Sequence, residues 1–87
     1  MEFKILENSV IYGATEQVLA EITFQETESG LFCINHTVVD SSLKGQGIGG
    51  KLVEMAVQEI ERRGGRVTAT CSFAKAWIEK HPEAINR

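Results

Sequence analysis

The spacing of hydrophobic and polar residues changes period along the chain, and each change marks the edge of an element. From Gln17 to Gln25 the pattern alternates strictly. Val18, Ala20, Ile22 and Phe24 fall on one side, and Glu21, Thr23 and Gln25 on the other, which predicts a half-exposed strand of an antiparallel sheet. Phe3 to Leu6 and Val10 to Tyr12 predict two shorter strands before it, separated by the turn residues Glu7-Asn8-Ser9. Glu26 to Gly30 is a polar turn, so the alternating strand forms a hairpin with Leu31 to Val39. That second arm is apolar at both odd and even positions, which predicts a central strand covered on both faces.

The period then lengthens. Ile48, Leu52, Met55, Ala56 and Ile60 recur at three and four residues, Val53 and Val57 widen the stripe, and Lys51, Glu54, Gln58, Glu61 and Arg62 take the other side. This predicts one amphipathic helix from Gly47 to Arg63, closed by a left-handed cap at Gly64-Gly65. Val67 to Cys71 reads as a strand parallel to Leu31 to Val39, because a helix crosses between them. Phe73 to Lys80 reads as a short helix with Phe73, Ala74, Trp77 and Ile78 inward, Pro82 ends it, and His81 to Arg87 is expected to be a weakly ordered tail. The fold class is α+β: a mostly antiparallel sheet, one long helix and one short helix, in a single domain spanning residues 1–87.

Between the second hairpin arm and the helix lies Lys44-Gly45-Gln46-Gly47-Ile48-Gly49-Gly50. Four glycines in six positions let the chain turn tightly and bring backbone N–H groups close to a ligand. The helix start adds unpaired N–H groups and a partial positive charge, so the turn suits a phosphate or pyrophosphate. Gly45, Gly47 and Gly50 fit the dinucleotide pattern G-x-G-x-x-G, but Val67 to Cys71 offers no acidic residue for a ribose. Gly45, Gly50 and Lys51 nearly fit a P-loop, but Leu52 stands where a magnesium-binding hydroxyl is required. Both patterns lack a part their chemistry needs.

Composition narrows the partners. The chain has 87 residues, 43% hydrophobic and 24% charged, with a net charge of −3, the profile of an ordinary globular protein without the basic stripe of a nucleic-acid binder. Lys44 and Lys51 nevertheless flank the glycine turn, a local positive patch on an acidic protein. No apolar run approaches membrane-spanning length, and Met1-Glu2-Phe3-Lys4 does not begin a signal peptide. Cys33 and Cys71 are too few for a disulfide scaffold and are not spaced for zinc, so free thiols, a cytoplasmic location and no metal are expected. A monomer or weak dimer is expected.

Lys44-Gly45-Gln46-Gly47-Ile48-Gly49 resembles the R/Q-x-x-G-x-G/A turn of the GNAT superfamily, the acyl-CoA-dependent N-acyltransferases, with Lys in the first position. Together with Asn35-His36-Thr37-x-Val39 and Cys71-Ser72-Phe73-Ala74-Lys75, it resembles the small, single-domain, cysteine-containing YjdJ-like group. The resemblance implies a curved sheet whose two central strands splay apart to admit the acyl-pantetheine arm of acetyl-CoA. It places Val38, Val39 and Asp40 along that arm. The pyrophosphate falls to Gly45, Gln46, Gly47, Ile48, Gly49 and Gly50, with Lys44 or Lys51 near the phosphate oxygens and Phe73 beside the cofactor. The implied reaction is transfer of acetyl from coenzyme A to an amine, carried on a small molecule or a protein. A non-catalytic acyl-CoA-binding module is the alternative, and an interaction module in which the turn is only structural is a third reading. Larger GNAT enzymes use a tyrosine beyond the fifth strand as the acid. Here the only tyrosine is Tyr12, near the N-terminus, and the group's cysteine, Cys71, stands at the cleft strand.

Cys71 is therefore a candidate nucleophile or acid, against the alternative of a small buried core residue. His36 is a candidate general base, against a histidine that hydrogen-bonds within the sheet. Cys33, on the opposite strand parity from His36, is expected in the core, and His81 on the surface. Trp77 is expected as a helix anchor. Glu21 and Glu26 are possible contacts for the amine, or simply part of a solvated sheet face.

Overall fold

In the computed structural model, which describes residues 2–14 and 16–84, five strands form one sheet in the order β1-β2-β3-β4-β5. The strands are β1 (Glu2–Ile5), β2 (Ser9–Ala14), β3 (Gln17–Glu28), β4 (Leu31–Val39) and β5 (Arg66–Ala69). The first four pair antiparallel and β4 pairs with β5 in parallel. The helices are α1 (Ile48–Arg62) and α2 (Ser72–Lys80), with short 3-10 turns at Ser41–Leu43 and Pro82–Ala84. The mixed α+β class and the parallel last pair are as the sequence predicts. Pro82–Ala84 extends order into the expected tail, and residues 85–87 lie outside the described residues.

The core lies between one face of the sheet and α1. Val10, Ile22, Phe24 and Ile34 from the strands meet Leu52, Val53, Ala56, Val57 and Ile60 from the helix, all essentially without solvent exposure. Burying the larger of these side chains, valine to phenylalanine, stabilises the fold by about 1.5–3 kcal/mol each. Gly64, at φ +82°, closes α1 in the left-handed conformation, and the Gly65 N–H donates to Ile60 O at 2.9 Å.

Two features of α1 depart from its apolar stripe. Glu59 is buried, and it is held there by Arg62 and Arg63, whose guanidinium groups donate to its carboxylate at 2.6–2.9 Å. Arg63 also donates to the carbonyls of Glu7 and Leu6 and lies 5.4 Å from the Phe24 ring centroid, so it ties the end of α1 to the β1–β2 turn.

β4 corrects a reading made from its composition. Thr23 pairs with His36 but Phe24 pairs with Ile34, so Asn35 is an extra residue in a β-bulge. The bulge switches parity midway along the strand. Phe32 and Ile34 face α1 before it, and Thr37 and Val39 face α1 after it, opposite Ile22 and Ala20. On the far face Cys33 is buried but Val38 is 48% exposed, so cover on both faces holds before the bulge and is lost after it. Cys33 is buried as expected, but the bulge puts it on the same face as His36.

Among the described residues, no helix is long and apolar enough to cross a membrane.

Candidate functional site

The site begins where β4 and β5 part. Their ladder runs from Leu31–Arg66 to Ile34–Ala69, and the N–H groups of Thr70 and Cys71 then both turn to Ile34 O, at 3.0 and 3.3 Å. β5 ends there while β4 continues for five more residues, so a gap opens beside Asn35–Val39.

The hydrogen-bond pattern decides which backbone groups line the gap. Asp40 N–H donates to Leu19 O at 2.7 Å, which makes that residue pair a hydrogen-bonded one. Bonded and non-bonded pairs alternate along an antiparallel ladder, so Val38 opposite Glu21 and His36 opposite Thr23 also direct their N–H and C=O to β3. Thr37 and Val39 direct theirs the other way, into the gap. Of the three residues expected along a cofactor arm, Val39 thus presents free backbone groups. Val38 is committed to β3. Asp40 is committed at its N–H to Leu19, at its C=O to Leu43 N–H, and at its carboxylate to Ser42. The Ser42 hydroxyl and then the Ser42 N–H hold that carboxyl below the usual carboxylate range, so Asp40 braces the turn as an anion.

The glycine turn follows. Gly45 and Gly47 have φ of +81° and +75°, the left-handed region that L side chains avoid, so both are needed for the shape of the backbone. Gly47 is the N-cap of α1, with no side-chain cap and no acidic residue in the first turn. The N–H groups of Gly47, Ile48, Gly49 and Gly50 have no acceptor among the described residues. They form an open anion site at the helix start. Among the described residues Lys44 makes no ion pair, whereas Lys51 is paired with Glu54 at 3.3 Å on an exposed surface. Gln46 folds back, donating through Nε2 to Ser42 O at 3.4 Å.

Gly49 and Gly50 have a different task, in helical conformation. A Cβ on Gly49 would stand 2.8 Å from Phe73 Cζ, and one on Gly50 would stand 3.1 Å from Trp77 Nε1. Their bareness lets α2 lie against the first turn of α1. Phe73 is 47% exposed rather than inward, with its ring over the helix start.

Cys71 closes the site. The run Val67 to Cys71 does not stay in the sheet to its end, and Cys71 is the N-cap of α2, half-buried beside the gap. Its Sγ lies 3.5 Å from Thr37 Oγ1 across the opening. Burial raises its pKa, but the Thr37 hydroxyl and the N–H groups of Ala74, Phe73 and Thr37 outweigh that and hold the thiol below its ordinary value. In the thiol state Cys71 makes no capping hydrogen bond, so the α2 amides act through their nearness at the helix start. The action of the Thr37 N–H agrees with its direction in the ladder.

His36 does not join this site. It neighbours Thr37 in β4 and therefore faces the other side of the sheet, exposed, opposite Thr23. Glu26 accepts from Gly30 N–H at 2.8 Å and serves the hairpin turn. His81 is half-buried rather than on the surface, stacked on Trp77 at 4.2 Å with its Nδ1 2.9 Å from Trp77 O. Those two residues help to line a separate groove of about 220 Å³ with Glu54, Val57 and Glu83, which shares no residue with the glycine turn or Cys71. Thr37 is the site residue that sequence reasoning passed over. It stands inside the His36-Thr37-x-Val39 block, a polar residue on an apolar strand end, but only the fold brings it to Cys71.

The family model described as GCN5-related N-acetyl-transferase matches residues 8–87. A candidate GCN5-like N-acetyltransferase of Staphylococcus aureus, solved by NMR, is 36% identical, with a TM-score of 0.78 over 95% of this chain and 82% of its own. An IAA acetyltransferase of Bacillus cereus is 26% identical, with a TM-score of 0.63 over 83% of this chain and 51% of its own. A GNAT family acetyltransferase of Brucella melitensis, solved in complex with acetyl-CoA, shares the fold at 23% identity, with a TM-score of 0.62 over 79% of this chain and 50% of its own. The chain thus spans about half the length of those two enzymes. No match was found among curated proteins.

Proposed function

The chain belongs to the GCN5-related N-acetyltransferase family, and from that premise we propose that it transfers acetyl from acetyl-CoA to an amine at the gap between β4 and β5. The observation that carries the reading is the convergence of three features at one opening: the free Thr37 and Val39 backbone edge, the uncapped start of α1, and the Cys71 thiol. The likeness to an acetyltransferase solved with acetyl-CoA supports the choice of acyl donor.

The residues present fit that donor. Orphan N–H groups from Gly47 to Gly50 and the nearby Lys44 ammonium would hold the pyrophosphate. The outward N–H and C=O of Val39, with the C=O of Thr37, would hold the pantetheine arm, as an added strand is held at a sheet edge. Phe73 would cover the arm where it passes the helix start.

The bound thioester supplies an activated acetyl group, and the chain supplies orientation and a proton. Cys71 acts as an acid, giving its proton to the departing coenzyme A sulfur. Its pKa below that of an ordinary thiol favours transfer to an alkyl thiolate. The amine gives up one proton to solvent, and Cys71 regains one from solvent, so one amide and one free thiol form per turnover. His36, on the opposite face from Cys71, is left out of this proton path.

The test is amine-dependent release of coenzyme A, with the protein's mass followed in parallel. The proposal expects release that needs an amine, loss of turnover in Cys71→Ala with coenzyme A binding retained, and no acetyl on the wild-type protein. An acetyl-Cys71 species that passes its acetyl to an added amine at the turnover rate would replace the acid role with a nucleophilic one. Binding without release for any amine tried would favour the non-catalytic module.

A further inference from the structure

We propose that Thr37 is a positioning residue for the reaction, holding the Cys71 sulfur at the mouth of the β4–β5 gap through both its hydroxyl and its backbone N–H. The inference rests on the acid role given to Cys71 above, and it adds the partner that the role needs.

Two observations place Thr37 there independently. Its Oγ1 lies 3.5 Å from Cys71 Sγ, across the point where the strands have parted. Its N–H belongs to a non-bonded pair of the β3–β4 ladder and so is directed away from β3 into the gap, on the side where it acts on the Cys71 thiol. The Asn35 bulge makes both possible, because without it Thr37 would face the other side of the sheet.

The hydroxyl can serve both protonation states of the thiol. While Cys71 is protonated, its S–H donates to Thr37 Oγ1. Once the proton has gone to the leaving sulfur, the Thr37 O–H rotates to donate to the Cys71 thiolate, and the Thr37 N–H donates alongside it. No bond to carbon is made or broken at Thr37, and its own proton stays on its oxygen. Thr37 acts from β4 and Phe73 and Ala74 act from α2, all as neutral groups. A valine in place of Thr37 keeps the shape and removes the oxygen, whereas serine keeps the oxygen.

The experiment measures the rate of Cys71 alkylation by iodoacetamide against pH, mapped by mass to the Cys71 peptide so that Cys33 does not enter. Wild type, Thr37→Val and Thr37→Ser are compared, with coenzyme A affinity and turnover measured on the same samples. The expected result is an alkylation midpoint moved to higher pH in Thr37→Val, with coenzyme A affinity retained and turnover reduced, and a wild-type midpoint in Thr37→Ser. A wild-type midpoint in Thr37→Val overturns the proposal, as does a Thr37→Ser midpoint displaced as far as that of valine. If the midpoint moves as expected while Cys71→Ala turns over normally, Thr37 holds the thiol and the acid role of Cys71 is what fails.

Discussion

A Cβ built on Gly49 would come within 2.8 Å of Phe73 Cζ, so an aromatic ring occupies the space that a side chain at the start of α1 would fill. The atom that must yield is the far end of a half-exposed side chain, and alanine is the better helix former by about 1 kcal/mol. Gly49→Ala is therefore expected to leave the melting temperature unchanged or slightly raised, while it displaces Phe73 and weakens coenzyme A binding. Calorimetry of unfolding and of binding on the same variant checks this. Full affinity in Gly49→Ala would separate Phe73 from the cofactor.

Gly47 makes a different demand. Nothing lies within 4 Å of a Cβ built there, so the obstacle is its φ of +75°. Gly47→Val is expected to cost on the order of 1–2 kcal/mol in the left-handed region and to lose coenzyme A affinity as the N–H array turns away. Gly47→Asn, which tolerates that region, is expected to keep most of both. Denaturant midpoints and binding isotherms for the pair show whether strain or bulk is responsible.

The Lys44 ammonium has no ion pair among the described residues, while Lys51 shares its charge with Glu54. Lys44→Ala is expected to weaken coenzyme A binding more than Lys51→Ala, and the deficit is expected to shrink as salt is added, since exposed charges are screened within about 10 Å at 0.1 M. Affinities over a salt series check the order and the trend.

Much of this architecture is legible in the sequence because it rests on local period. The stripe of α1 and its Gly64 cap follow from spacing and from one residue's backbone freedom, and the parallel β4–β5 pair follows from the helix between them. What the sequence hides is set by contacts across the fold. The bulge at Asn35 decides the face that each of Cys33, His36 and Thr37 takes, and a run apolar at both parities does not show where the parity switches. Cys71 continues the parity of Val67 and Ala69, but its N–H turns to Ile34 O and the strand ends before it. Glu59 is buried because two arginines one turn on converge upon it, a pairing that the period of α1 alone does not show. The phosphate turn was readable as a motif. The division of its glycines into two that shape the turn and two that admit α2 required the packing of Phe73 and Trp77.

Glu59 gives the fold an acid sensitivity of definite sign. The hydrogen bonds from Arg62, then from Arg63, lower its pKa from 4.5 to about 2 in the folded protein. A carboxylate whose folded pKa lies below its unfolded value contributes fully above the unfolded pKa, and the contribution is lost as pH falls through the folded one. Stability is therefore expected to decline between about pH 4.5 and about pH 2, and Glu59→Gln is expected to be less stable at neutral pH and to decline less over that window. Urea midpoints measured across the range check the slope.

If acetyl-CoA lies along the β4 edge, with its pyrophosphate on the start of α1 and its thioester beside Cys71, residue-resolved amide shifts during titration with acetyl-CoA will trace that path. The largest shifts are expected at Thr37, Val39, Gly45 to Gly50, Cys71 and Phe73, with small ones at Val38 and along β1 and β2. Shifts confined to the groove around Trp77, His81 and Glu83, or none at saturating ligand, would contradict it.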